Sequence, residues 1–282
     1  MYSLLCLVTF LAAYTLNLGY ITVFYHRGFA HRGLRLPPRM QRFVLATGNW
    51  VTGLDPKAWA CMHRMHHAFS DGPEDPHSPA QVGLLGVLLA QLRAYERTLY
   101  GLLGRHPDYL RLVSDLEFPV HWLNRRGLWW LPYALHAAMA CILGVLAGGL
   151  LGSAYFIGIM SHPLEGWVVN ALGHSVGRRN FDTPDNSRNL WLAGFLIYGE
   201  GWQNNHHRYP SSARFSYRWW EPDLGYALCL ALEGLGLLEV DHCRLMPRAA
   251  LERRRTYGAP VTCPHQVLQK GSQVEIHVAK ER

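Results

Sequence analysis

Eight of the sixteen histidines in this chain stand in short groups: His26 and His31; His63, His66 and His67; His174; and His206 and His207. Neutral imidazole is a good ligand for iron, copper and zinc. Each group lies where an apolar stretch gives way to polar sequence, a place where ionisable side chains are costly enough to point to function. His63, His66 and His67 form an HxxHH pattern, and positions i, i+3 and i+4 share one face of an α-helix. One helix can therefore present three imidazoles. Gln203, His206 and His207 repeat the spacing with an amide in the first place, and Asn170 and His174 form an i, i+4 pair. His26 and His31 are five apart, which on a continuous α-helix would turn them away from each other. The spacing predicts that they straddle the end of a helix, so that each can reach a different metal. Eight imidazoles are too many for one ion of ordinary coordination and suit two, and an all-nitrogen set without cysteine pairs favours iron over zinc. His77, His106, His121, His136, His162, His242, His265 and His277 have no ligand-spaced partner and are expected to be ordinary hydrogen-bonded or interfacial residues.

The elements that must carry these groups are written in the charge pattern. Met1 to Tyr25 contain no acidic or basic side chain, and Leu128 to Leu164 contain no Asp, Glu, Lys or Arg. A membrane-crossing helix needs about 20 apolar residues, so the second stretch has room for two short spans, with Gly148, Gly149 and Gly152 supplying a tight turn between them. A secretory signal peptide would need a basic n-region, which the first stretch lacks. Arg27, Arg32, Arg35, Arg39, Arg42, Lys57 and Arg64 crowd the segment after the first span, and the turn near Gly149 has no basic residue. Basic loops favour the cytoplasmic side. The prediction is an all-α integral membrane protein of about three to four spans, with its amino terminus outside and a cytoplasmic helical cap carrying all four histidine groups. Residues 1–246 would form the embedded domain and 247–282 a polar tail. The bilayer also accounts for the net charge of +7, which belongs to loops beside apolar spans and not to a nucleic-acid surface. The six cysteines form no CxxC pair. Gln41 to Ala60 is expected to be a re-entrant or interfacial element, and Arg218 to Val240 an amphipathic helix on the cytoplasmic surface.

The strings that surround the histidines are more specific than the spacing. "YHRGFAHRGLRLP", "HRMHHAFSDGPEDPHSP", "WVVNALGH" and "GEGWQNNHHRYP" together resemble the membrane-bound fatty-acid desaturases of the acyl-CoA delta-9 (stearoyl) branch, over roughly residues 20 to 215. The resemblance implies that His26, His31, His63, His66, His67, His174, His206 and His207 are iron ligands. It also implies that Asn170 reaches a metal through water and that Trp167 lines the acyl channel. Such enzymes use two iron ions, dioxygen and two external electrons to remove two hydrogens from a long acyl chain, leaving a cis double bond. The substrate would be an acyl-CoA, an acyl-lipid or an acyl-carrier protein. No HPGG haem-binding signature of a fused cytochrome occurs, so the electrons would come from a separate cytochrome b5, ferredoxin or rubredoxin.

Three features depart from that family's pattern. Gln203 stands where the acyl-CoA enzymes usually have His, and is expected to bind metal weakly or through water. Cys61 and Met62 replace an Arg-Asp pair that helps hold the CoA headgroup, and the chain begins too late to contain the span that usually precedes the first histidine group. The competing readings are a lipid or fatty-acyl hydroxylase on the same di-iron site and a non-catalytic metal-binding membrane protein. The composition fits a bacterial inner membrane better than an endoplasmic reticulum.

Overall fold

The computed structural model describes residues 1–248, so most of the expected tail at 247–282 lies outside the described residues. Its first element, α1, is one continuous helix from Tyr2 to Ala30. Among the described residues, it is the one helix long and apolar enough to cross a membrane. At 1.5 Å per residue it is about 40 Å long, more than the roughly 30 Å of a bilayer core. The surplus length carries His26 beyond the apolar part. The two halves differ accordingly: Leu4, Leu5, Leu7, Val8 and Leu11 are exposed, whereas every residue from Tyr20 to Ala30 is buried.

Two further apolar helices, α7 (Leu131–Ala147) and α8 (Gly149–Ile159), form a hairpin. Gly148 makes its turn with a φ of +106°, a region that side chains disfavour, so the expected glycine turn is present. The hairpin packs on α1 at Gly158, where a Cβ would lie 2.6 Å from the Phe10 carbonyl oxygen. Only glycine permits that approach. Leu135, Met139, Ile142, Val145, Leu146, Leu150 and Ile157 remain exposed on the hairpin, an apolar surface suited to lipid.

Above this lies the helical cap. The stretch from Gln41 to Ala60, expected to be a re-entrant or interfacial element, is divided between the helices α2 (Pro38–Thr52) and α3 (Pro56–Phe69). Gly53 at φ +74° ends α2, and Asp55 caps α3 by accepting the Lys57 and Ala58 amides at 2.9 Å. Pro56 at the first helical position completes the start signal. Next come α4 (Pro79–Leu103), interrupted at Gly83, and the short α5 (Pro107–Leu112) and α6 (Trp122–Arg125). After the hairpin follow α9 (His162–Trp167, continuing as a π turn over Val168–Leu172), α10 (Trp191–Leu196), α11 (Gln203–Arg208) and α12 (Leu224–Gly234). The amphipathic helix expected over Arg218 to Val240 is thus confined to its middle, where Asp223 caps it by accepting the Tyr226 amide.

Two strands qualify the all-α expectation. β1 (Leu34–Arg35) and β2 (Glu239–Val240) pair antiparallel, Leu34 opposite Val240, and tie the exit of α1 to the segment after α12.

The cap is organised around Arg27, which is completely buried. Its guanidinium donates to Glu200 at 2.9 Å, to Asp223 at 3.0 Å and to the Ala213 carbonyl at 2.8 Å, and lies 3.8 Å above the Phe215 ring. A buried cation needs this degree of pairing to offset its lost hydration. The end of α1 is thereby locked to the segment that carries α11.

Candidate metal centre and acyl cavity

The structure brings all eight predicted histidines together. His63, His66 and His67 project from α3, as their spacing requires, and His206 and His207 from α11. A six-residue helix holds no position by itself. The adjacent Asn204 and Asn205 anchor α11: Asn204 accepts the Asn180 and Phe181 amides at 2.8 Å, and Asn205 donates to the Phe215 carbonyl and to Glu221 at 2.9 Å.

His26 and His31, whose spacing on an α-helix has each reaching a different metal, fall in the same group. From Tyr20 to Ala30 the helix is π-wound, and the His31 amide bonds the His26 carbonyl at 3.1 Å. In a π-helix the i→i+5 bond stacks residues five apart, and the two rings lie 5.1 Å from centroid to centroid. Both therefore join one group, with His63, His67 and His206. Their Nε2 atoms converge: His26 to His206 2.9 Å, His67 to His206 2.9 Å, and His31 to His63 2.8 Å. Ligands about 2.0–2.1 Å from one ion and at right angles are about 2.9 Å apart, so the spacing fits a shared metal.

A second group comprises His66, His174 and His207. The Nε2 atom of each is buried and has no hydrogen-bond partner, and the same is true of Gln203 Oε1. Four orphaned acceptors would be costly in a protein interior, and a cation among them would satisfy them. Gln203 is 2% exposed, and its amide faces the residues that line the neighbouring cavity.

Four carboxylates hold the opposite ring nitrogens. Glu200 takes His26 Nδ1 at 2.6 Å, Asp75 takes His66 Nδ1 at 3.0 Å, Asp71 takes His174 Nδ1 at 2.9 Å, and Asp185 takes His207 Nδ1 at 2.7 Å. Each bond places a proton on Nδ1 and leaves Nε2 as the free donor atom, the arrangement that orients metal-binding histidines. None of the four was identified from sequence. Their only sequence signal is proximity to a histidine box, since Asp71, Asp75 and Glu200 stand within ten residues of one.

Burial keeps five of the imidazoles, His31, His63, His67, His206 and His207, neutral and therefore able to bind metal. It holds His31, His63, His67 and His206 well below the usual histidine range, aided by the neighbouring rings. It brings His207 down to about 4, although the Asp185 bond opposes the shift. Burial alone would raise Asp75, but the His66 bond and charge take it down to about 2.

A cavity of about 300 Å³ opens beside the first group, and Gln203 is also on its wall. His26, His63, Asn170 and Gln203 line one part of it, and Leu18, Ile21, Leu54, Trp59, Met62, Leu92 and Ile197 give most of its wall an apolar character. Trp59 stacks on His63, with centroids 5.0 Å apart and planes at 12°. This tryptophan, one turn before the second histidine group, was missed. Trp167 does not line the cavity and instead donates its indole N–H to the Leu84 carbonyl at 2.8 Å. His77, expected to be an ordinary histidine, lies against His66 at 4.8 Å, with neither ring nitrogen hydrogen-bonded.

Residues 2–227 match the family described as "Fatty acid desaturase". The chain is similar to Delta-9 acyl-lipid desaturase 1 of Arabidopsis thaliana, at 34% identity over 80% of this chain and 72% of the plant protein. It is similar to the sn-1 stearoyl-lipid 9-desaturase of Anabaena variabilis, at 31% identity over 77% of this chain and 76% of that one. The Hex-5-enoyl-[acyl-carrier protein] acetylenase of Moorena producens (strain JHB) is 31% identical over 76% of this chain and 69% of its own length.

Proposed function

Because the chain belongs to the fatty acid desaturase family and is a fatty acyl desaturase of the delta-9-like branch, we propose that its eight histidines hold two iron ions beside the acyl cavity. The observation that carries this reading is the convergence of Nε2 atoms in two adjacent groups, with His26 and His63 of the first, and Gln203 beside the second, on the cavity wall. His26, His31, His63, His67 and His206 would hold one ion; His66, His174 and His207 would hold the other, with Gln203 Oε1 as a weak oxygen ligand and Asn170 acting through water. Iron, dioxygen and two external electrons supply the oxidising power that no side chain has for an unactivated methylene.

The protein's own part is positioning. Trp59 and the aliphatic wall confine a chain against the edge formed by His26 and His63, and the apolar lining keeps water away from the reacting methylenes. Glu200, Asp71, Asp75 and Asp185 fix the ligating rings. Cys61 and Met62 are buried and offer no headgroup contact. Their burial and the names of the Arabidopsis thaliana and Anabaena variabilis relatives support a lipid-linked acyl substrate, while other relatives are named for an acyl-CoA and for an acyl-carrier protein. Residues 1–246 would form the membrane-embedded domain, with α1, α7 and the run from α8 into α9 as spans and the cap on the cytoplasmic side. A small external carrier such as cytochrome b5, ferredoxin or rubredoxin would deliver the electrons.

Expression in a host of defined lipid composition tests the reading, with mass spectrometry that locates double bonds. The expected result is a new cis-unsaturated acid near the ninth carbon, absent from a His207→Ala control. An alcohol in its place would make the protein a hydroxylase. Asp185→Asn exchanges the charged acceptor on His207 Nδ1 for a neutral amide and should weaken metal retention by about 10–100-fold without unfolding the cap. Chelator competition on the purified protein measures that loss, and unchanged retention would deny Asp185 its orienting role.

A further inference from the structure

The wall of the acyl cavity contains a group that a plain hydrocarbon cannot satisfy. Glu165, at the start of α9, lines the cavity and is 8% exposed. Its Oε1 has no hydrogen-bond partner, and among the described residues no basic side chain pairs with it. Ser161 and Tyr14 stand within reach of the carboxyl, but the Ser161 hydroxyl donates to the Gly158 carbonyl at 2.9 Å and the Tyr14 hydroxyl to the Leu196 carbonyl at 2.8 Å. Three residues before it, His162 Nδ1 is also buried, unpartnered and on the cavity wall. Residues i and i+3 share a helical face. The cavity thus presents an acceptor oxygen and a ring nitrogen on one helical face, in a wall that is mostly apolar and also carries Gln91, whose amide donates to the Pro163 carbonyl at 2.7 Å.

Their depth is set by the helix. Asn170, beside the histidines, lies five residues after Glu165, about 7.5 Å along the axis. His162 lies farther still, on the way to Tyr133 at the α7 side of the cavity. A saturated chain filling this space would leave both polar atoms buried without partners, which binding penalises. A hydroxyl can donate to Glu165 and also meet His162.

Building on the desaturase reading of this cavity, we propose that Glu165 and His162 recognise a hydroxyl on the acyl chain, on the methyl side of the new double bond. The preferred substrate is then a hydroxylated acyl chain. Sites built to hydrogen-bond a substrate hydroxyl discriminate strongly against the analogue that lacks it.

The test is displacement binding on the full-length protein in detergent, with a radiolabelled saturated C18 fatty acid as tracer. The competitors are unlabelled C16 and C18 acids, plain or with a single hydroxyl at successive positions of the methyl half. One hydroxy isomer should displace the tracer at a concentration at least about ten-fold lower than the plain acid. Glu165→Gln, which keeps an acceptor oxygen, should preserve that preference, and Glu165→Leu should abolish it and tighten binding of the plain acid. Equal displacement by all competitors on the wild-type protein overturns the proposal, a result that does not depend on how the variants fold. So does a preference that survives in a folded Glu165→Leu protein. If the preference holds but the iron-loaded enzyme alters no chain, the hydroxyl site stands and the desaturase reading fails by itself.

Discussion

Replacing His66 with alanine should reduce double-bond formation to the detection limit and leave the protein with a single retained metal. His66 is the one ligand of the second group that comes from α3, and its Nε2 has no other partner in the interior. Its loss leaves His174 and His207 with the weaker Gln203 amide, too few donors for an ion held by nitrogen and oxygen. The first group keeps all five imidazoles, so iron per chain should fall by half and not to zero. Elemental analysis of protein purified with and without His66 measures this. Gln203→His is the informative contrast: it adds an imidazole at a position already 2% exposed, and should retain metal at least as firmly as the wild type. A His66→Ala protein with full metal and undiminished unsaturated product would refute the two-centre assignment.

Arg27→Met should be the most destabilising substitution in the cap, at about 3–5 kcal/mol. The methionine keeps much of the packing volume and removes the charge, so Glu200 and Asp223 become buried carboxylates without a counter-ion. Truncating one side of a buried ion pair costs more than the pair itself contributes, because the remaining charge cannot recover its hydration. Damage should also reach the metal, since Glu200 orients His26. Thermal unfolding in detergent checks the stability, and adding Asp223→Asn to the variant should recover part of the loss. A melting point unchanged by Arg27→Met would show that the buried network is dispensable.

Local periodicity made part of this design legible. The HxxHH spacing fixed three ligands on one face of α3, and the charge-free runs with the glycine turn anticipated α1 and the α7–α8 hairpin. What escaped was non-local or conformationally unusual. Asp185 meets His207 across 22 positions and Glu200 meets His26 across 174, contacts that exist only once the chain has folded back on itself. The π-winding that unites His26 with His31 changes the period on which helical-wheel reasoning depends. Trp167 and Trp59 each stand near a histidine box, and the fold alone decides which ring faces the acyl chain. Asp55 and Pro56 carry a clear helix-start signal, and it marks a break between two helices within the stretch expected to be one re-entrant or interfacial element.

The locking of Arg27 to Glu200 and Asp223 also dictates an order of events during synthesis. The first candidate ligands have been made when residue 31 emerges, but the first group still lacks His206, and the charge at the end of α1 has no carboxylate partner until Glu200 follows and lacks its second until Asp223. On the two-metal proposal, the site can be completed only after the hairpin has been made. A chain truncated before residue 200 would carry six of the eight histidines and leave Arg27 with neither carboxylate, and one ending between residues 208 and 222 would carry all eight and still lack the Asp223 anchor. Quality control in the membrane would meet the first of these as a protein with an unpaired buried charge.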